Sequence, residues 1–473
     1  MSSLLEQAYS SSTFRELGHQ LVDQLADYLE AAEKGHQAVI PQIDPQNELR
    51  FWEKDLVEGP RDPVYFFEQL INRSIHLHQQ KYMGHQIAPP AYLGPLAALA
   101  GDLLNNGMAV FEMGAASTAI EQVVVQEVCK VMGYDELAGG FLTSGGTLAN
   151  LTALLAARQA IGERDVWTEG QQEKLAIMVS EESHYCVDRA VRIMGWGEQG
   201  IIKVPVNAQY QLRTDLLEEG LRKAEAAGRK VIALVGCACS TSTGAYDDLE
   251  AMADFCAQHQ LWFHVDGAHG AAAAFSSRYR PLVKGIGRAD SIAMDFHKML
   301  MTPALATALL FKKGQQAFGT FAQRAQYLWA SQSEQEWHNL AKRTFECTKY
   351  MMSIKVYILL RSYGLTVFDE YVNRLYDMGR HFAQLIQQRP HFELAVTPQS
   401  NIVCFRYTPP NCSPEQLDLL NSRIRKNIIE EGEFYIVQTQ LKQGLYLRTT
   451  LMNPFTTEQE LLGLLDKVEA LAR

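Results

Sequence analysis

Asp290-Ser291-Ile292-Ala293-Met294-Asp295-Phe296-His297-Lys298 is an apolar run that closes on a lysine. Upstream of it, Leu261-Trp262-Phe263-His264-Val265-Asp266 is an apolar run that closes on an aspartate. Each is short and apolar rather than alternating, the pattern of a strand covered on both faces. Two strands thus each deliver one ionisable side chain at the C-terminal end, the edge of an open α/β sheet where ligands bind. A lysine on a buried strand is costly unless it is paired or covalently engaged. Many strands end in Asp, and a strand-end Lys is more often a solvated terminus, so the pair needs company before it carries chemistry.

Outward from these two runs, strand and helix alternate from about Gly139. Strands are expected at 175–180, 231–235, 261–265, 291–294 and 304–311, with a helix from about Tyr185. This is βαβ architecture with the sheet inside. Towards the N-terminus, Phe14, Leu17, Leu21, Val22, Leu25, Tyr28 and Leu29 recur at helical spacing and predict an amphipathic helix over 11–34. Residues 41–63 read as a loop leading into another helix, and 76–90 as polar, aromatic and irregular. After a helix around 352–365 the chain restarts with helices and short strands at 392–396, 402–407 and 445–449. The expected organisation is an N-terminal helical segment (1–75), a large α/β domain (76–365) and a small α+β domain (366–473).

Composition narrows the partners. The chain has 473 residues, 47% hydrophobic and 21% charged, enough for a large core and more than one domain. Its net charge of −11, with no sustained Lys/Arg run, argues against nucleic acid or an anionic membrane as a partner. No apolar stretch reaches membrane-spanning length and no secretory signal pattern is read at the N-terminus. The eight cysteines are scattered without C-x-x-C spacing, which favours reduced thiols and a cytoplasmic location over a zinc site. His76, His78 and His85 are too loosely spaced to predict a metal centre.

Three further motifs precede the Asp and Lys runs. Thr143-Ser144-Gly145-Gly146-Thr147-Leu148-Ala149-Asn150 opens a helical run. Such a turn presents backbone N–H groups and a positive dipole end to an anion, although Ser and Thr also serve as plain helix caps. Ser183-His184-Tyr185 follows the strand ending at Ser180; its histidine suits stacking on an aromatic ligand, or simple capping. Cys239-Ser240-Thr241-Ser242-Thr243-Gly244 is a hydroxyl-rich strand end that suits ligand binding or a turn. Phosphate loop, stacking His, hydroxyl turn, Asp and Lys, in that order, are what pyridoxal phosphate (PLP) chemistry needs. The lysine amine condenses with the cofactor aldehyde and the carboxylate keeps the pyridine nitrogen protonated.

On these residues the chain resembles the group II pyridoxal-dependent amino-acid decarboxylases. The match is carried by Thr143–Asn150, Ser183–Tyr185, His264–Gly270 and Asp295–Lys298, and extended by 81–86, 108–113 and 447–450. The two N-terminal runs and the D-F-H-K variant look most like the L-2,4-diaminobutyrate branch. The resemblance implies a fold type I PLP enzyme with a mostly parallel central sheet, acting as a homodimer with its active site at the subunit interface. It implies Lys298 as the cofactor lysine, Asp266 at the pyridinium nitrogen, His184 over the ring and Ala268 under it. It implies Gly145, Gly146 and Thr147 at the phosphate, helped by Ser144 and His297, and Thr241 near the ring. His85 and Gln86, with Tyr327, would line the substrate pocket.

The expected activity is decarboxylation of an L-amino acid to amine and CO2. Glutamate, aspartate or aromatic substrates, or an aminotransferase or aldehyde synthase on the same fold, are the alternatives. One departure stands out. Many members carry a tyrosine on a loop after the lysine strand, whereas 329–347 holds Trp329 and Trp337 but no tyrosine.

Overall fold

The computed structural model describes residues 3–35, 37–41, 44–163, 165–321 and 337–473. The chain divides into two compact units: Met1–His85 with Leu385–Glu393 and Phe405–Arg473, and Gln86–Gln384 with Leu394–Cys404.

The second unit is built on a seven-stranded sheet. Its strands are β1 (Gly139–Thr143), β2 (Leu175–Ser180), β3 (Ile201–Val204), β4 (Lys230–Cys237), β5 (Trp262–Asp266), β6 (Ser291–Asp295) and β7 (Thr307–Phe311), in the order β1-β7-β6-β5-β4-β2-β3. Pairs from β3 through β6 are parallel, and β7 runs antiparallel to both β6 and β1. The β6–β7 connection is too short for a crossover helix, which fixes that reversal. The apolar composition of these strands is explained by their burial: every residue of β1, β2, β5, β6 and β7 is buried. On one face the helix Gly146–Ile161 lays Ala149, Ala153, Leu154 and Ala157 against Ile177, Val179 and Leu309. Its small residues permit close approach, and each large side chain buried there is worth about 1.5–3 kcal/mol.

Two sequence expectations shift in this unit. The expected strand at 304–311 begins only at Thr307. The strand expected to carry Lys298 ends at Asp295, and the lysine sits on a four-residue helical turn, Phe296–Met299.

In the first unit the amphipathic helix appears as Ser11–Glu33, capped by the Ser10 hydroxyl. The stretch 41–63, expected as a loop, instead contains the helix Pro45–Glu58. Asp44 accepts from the N–H groups of Gln46 and Asn47, and Pro45 occupies the first turn, where a missing N–H costs nothing. A second sheet has the order β10-β11-β9-β8, from β8 (Phe392–Leu394), β9 (Ile402–Tyr407), β10 (Val437–Leu441) and β11 (Gly444–Thr450). Among the described residues no helix is long and apolar enough to cross a membrane.

Candidate active site

β1, β4, β5 and β6 point the same way, so their carboxyl ends share one edge of the sheet. A cavity of about 170 Å³ lies there. It is lined by Gly146 and Thr147 beyond β1, Cys237 at the end of β4, Asp266 at the end of β5 and Asp295 at the end of β6. His184, Thr241, Ala268, His297 and Lys298 complete its wall, along with Asn150 and Cys186. Eight of the ten residues expected around a cofactor therefore meet in one place.

The two that do not line it are Gly145 and Ser144. Gly145 is the N-cap of the helix Gly146–Ile161, with no side chain capping that end. The first-turn N–H groups and the positive end of the helix dipole are thus presented at Gly146 and Thr147. Ser144 donates its hydroxyl to Glu346 Oε1 at 3.3 Å, the same oxygen that accepts from Thr143.

Lys298 keeps 23% of its side-chain surface accessible, while Asp295 keeps only 2%, and their charged atoms lie 2.8 Å apart. Thr307 donates its hydroxyl to the other Asp295 oxygen, and His297 Nε2 lies 3.7 Å from Oδ2. Burial disfavours the ammonium, but Asp295, aided by Asp266, outweighs it and raises Lys298 above the usual lysine value. Burial works equally against the Asp295 carboxylate, and Lys298 and His297 hold it below the usual range despite that. The Asp266 carboxylate accepts the N–H of Ala268, on its own loop, at 3.2 Å.

His184 caps the helix Tyr185–Ile193, its Nδ1 accepting from Cys186 N–H at 3.3 Å. The neutral ring is therefore protonated on Nε2. Burial lowers its proton affinity, with Asp266 pulling the other way. Cys186 in turn accepts from Asn150 Nδ2 at 3.2 Å, and burial pushes its thiol up to about 12, so it stays protonated.

The cavity fits pyridoxal phosphate. It holds one amine for the aldehyde, an uncapped helix end for the phosphate, and a carboxylate on the neighbouring strand for the pyridine nitrogen. The conserved-domain model described as "Pyridoxal-dependent decarboxylase" matches residues 67–408. The chain belongs to the pyridoxal-dependent decarboxylase family.

This decarboxylase is 27% identical to the aromatic-L-amino-acid decarboxylase of Bacillus atrophaeus, over 98% of this chain and 96% of that one. It is 28% identical to the aspartate 1-decarboxylase of Aliivibrio fischeri, over 95% and 89% of the two chains. The glutamate decarboxylase domain of a diaminobutyrate-pyruvate transaminase and L-2,4-diaminobutyrate decarboxylase from Vibrio parahaemolyticus superposes with a TM-score of 0.86. That match is at 25% identity and covers 100% of this chain and 97% of that one. The family is pyridoxal-dependent and the reaction is the decarboxylation of an amino acid; the relatives differ in which one.

His85 lies in the first unit, its ring 5.6 Å from that of Tyr435. Gln86 opens the second unit, and its amide nitrogen is buried without a hydrogen-bond partner. Tyr327 and Trp329 fall outside the described residues. Sequence reading assigned no role to Asp295 or Asn150. Both were in plain view, Asp295 as the first residue of D-F-H-K and Asn150 as the last of the Gly-rich run.

Proposed function

We propose that this enzyme removes the α-carboxylate of an L-amino acid with an acidic side chain, releasing CO2 and the corresponding amine. The observation that carries the reaction is the meeting of Lys298, Asp266 and the uncapped helix end at Gly146 in one cavity. Bound pyridoxal phosphate supplies an electron sink for the pair left behind when CO2 departs. Lys298 Nζ would hold the cofactor and Asp266 would keep the proton on its ring nitrogen. Thr147 and the N–H groups of the first helical turn would take the phosphate, and His184, with Nε2–H available, would lie against the ring. Ala268, on the loop after β5, would lie on the other side of the ring.

We assign His85 and Gln86 to the substrate, and the acidic side chain is supported by the aspartate 1-decarboxylase and the acidic amino acid decarboxylase among the relatives. Burial, then the guanidinium charges of Arg448 and Arg425, lower the proton affinity of His85. A diamine such as L-2,4-diaminobutyrate, the class suggested by the N-terminal runs, needs an acceptor or a carboxylate there; a carboxylate substrate needs cations. We further propose a cytoplasmic homodimer with the active site at the subunit interface. Exposed Leu99, Leu103, Phe111 and Met113 in the second unit support a covered face.

A panel of L-aspartate, L-glutamate, L-2,4-diaminobutyrate and aromatic amino acids, assayed with pyridoxal phosphate, tests both parts. Equimolar CO2 and amine from an acidic substrate is expected. Keto acid in place of CO2 contradicts the reaction, and turnover confined to the diamine contradicts the substrate.

A further inference from the structure

Two aspartates face the cavity, and they are not equivalent. Asp266 is the end of β5; Asp295 is the end of β6, nearly sealed from solvent and already engaged. One Asp295 oxygen takes the Thr307 hydroxyl of β7, and the other lies 2.8 Å from Lys298 Nζ. Both oxygens also lie 3.4–3.5 Å from where a Cβ on Gly146 would stand, so the carboxylate is wedged between the lysine turn and the helix start.

We infer that Asp295 is a positioning residue, its carboxylate serving as the fixed counter-ion of the Lys298 nitrogen both before that nitrogen condenses with an aldehyde and after. This deepens the reading of Lys298 given above and rests on it. The condensation breaks the aldehyde C=O bond, forms one C=N bond and releases one water. The ammonium loses a proton to become nucleophilic and the imine nitrogen takes one up, so ammonium plus aldehyde gives protonated imine plus water. The nitrogen carries one positive charge at the start and at the end. A buried carboxylate that cannot be hydrated gains by facing that charge throughout.

The other groups facing the nitrogen do not substitute for it. Asp266 on β5 is the second carboxylate acting on Lys298, and Cys186 is held as a neutral thiol. His184, His269 and His297, the histidines of the cavity wall, bring no negative charge, burial raises the Cys237 thiol so that it stays neutral, and Cys239 completes the titratable lining. Without Asp295, desolvation would dominate and the lysine nitrogen would give up its proton at lower pH.

The test reads the proton on the nitrogen rather than turnover. In the cofactor-loaded enzyme, the visible absorbance change that reports loss of the imine proton is titrated against pH. Asp295→Asn is expected to lower the midpoint by about one pH unit or more; a smaller fall overturns the inference. Asp295→Glu keeps the charge and is expected to stay nearer wild type than the Asn variant, and an equal shift in both also overturns it. A measurement on unaltered enzyme stands independently of any folding defect in these variants. After removal of the cofactor, the rate at which Lys298 captures added pyridoxal phosphate should keep rising with pH to about 10, because the amine is released late. A rate that levels off below about pH 9 overturns the counter-ion role. If borohydride reduction of the wild type labels no Lys298, the reading of the site fails; if Lys298 is labelled and the midpoints hold still, only the role of Asp295 fails.

Discussion

His264 Nε2 and Asn150 Oδ1 meet at 2.8 Å, joining β5 to the helix that opens at the cavity. The chain of bonds extends both ways: Trp262 donates to Ser291 Oγ, Ser291 faces His264 Nδ1, and Asn150 donates to Cys186. His264 is two residues from Asp266, so this buried network fixes the strand end that presents the carboxylate.

That network makes stability depend on pH. Burial holds His264 at about 4, well below an unperturbed histidine. Its contribution is complete above about 6.5, where neither folded nor unfolded chain is protonated there, and declines as pH falls towards 4, because only the unfolded chain takes up the proton. Asp247, raised to about 6 by burial, works in the opposite direction, so the comparison must be with a variant. The stability gap between wild type and His264→Gln should shrink by roughly 2–3 kcal/mol between pH 7 and pH 4.5 in denaturant titrations. A gap independent of pH would show that His264 is not held neutral.

Lys298→Ala should abolish turnover while leaving a folded protein. It strands the Asp295 carboxylate, and breaking a buried pair on one side costs about 3–5 kcal/mol. Lys298→Ala with Asp295→Asn should recover most of that loss when cofactor-free proteins are compared by urea unfolding. Two purely additive losses would contradict the pairing.

Gly146→Ala places a methyl 3.4 Å from Ala268 Cβ and from Asp295 Oδ1, tight but tolerable contacts directed at the cavity. Its melting temperature should stay within about 3 °C of wild type, while pyridoxal phosphate binds about tenfold or more weakly. Unchanged affinity, measured by equilibrium dialysis, would remove this helix end from the cofactor site.

Asp266→Asn keeps the shape and the Ala268 N–H bond while removing the charge. We expect kcat to fall by about a thousandfold or more, equivalent to roughly 4 kcal/mol, with little change in unfolding midpoint. A fall of less than tenfold would show that Asp266 does not hold the ring proton.

Much of this was legible in the chain because buried strands announce themselves. The runs ending at Ser180, Asp266 and Asp295 are apolar throughout, and their order with the Gly-rich turn placed most of the cavity wall. What escaped depended on contacts between distant segments. Asp295 became a lysine partner only when a helical turn folded Lys298 back over it. The contact of the Ser144 hydroxyl with Glu346, 202 residues on, is announced by no local pattern. The helix Pro45–Glu58 was hidden behind Asp44 and Pro45, because Asp and Pro mark a helix start as readily as a loop. The reversal of β7 follows from a connection length rather than from any residue in it.

The most direct measurement is borohydride reduction of the purified enzyme in the presence of pyridoxal phosphate, followed by proteolysis and mass mapping. A single phosphopyridoxyl label on Lys298 is the predicted result. A label on any other lysine, or none, would contradict the account.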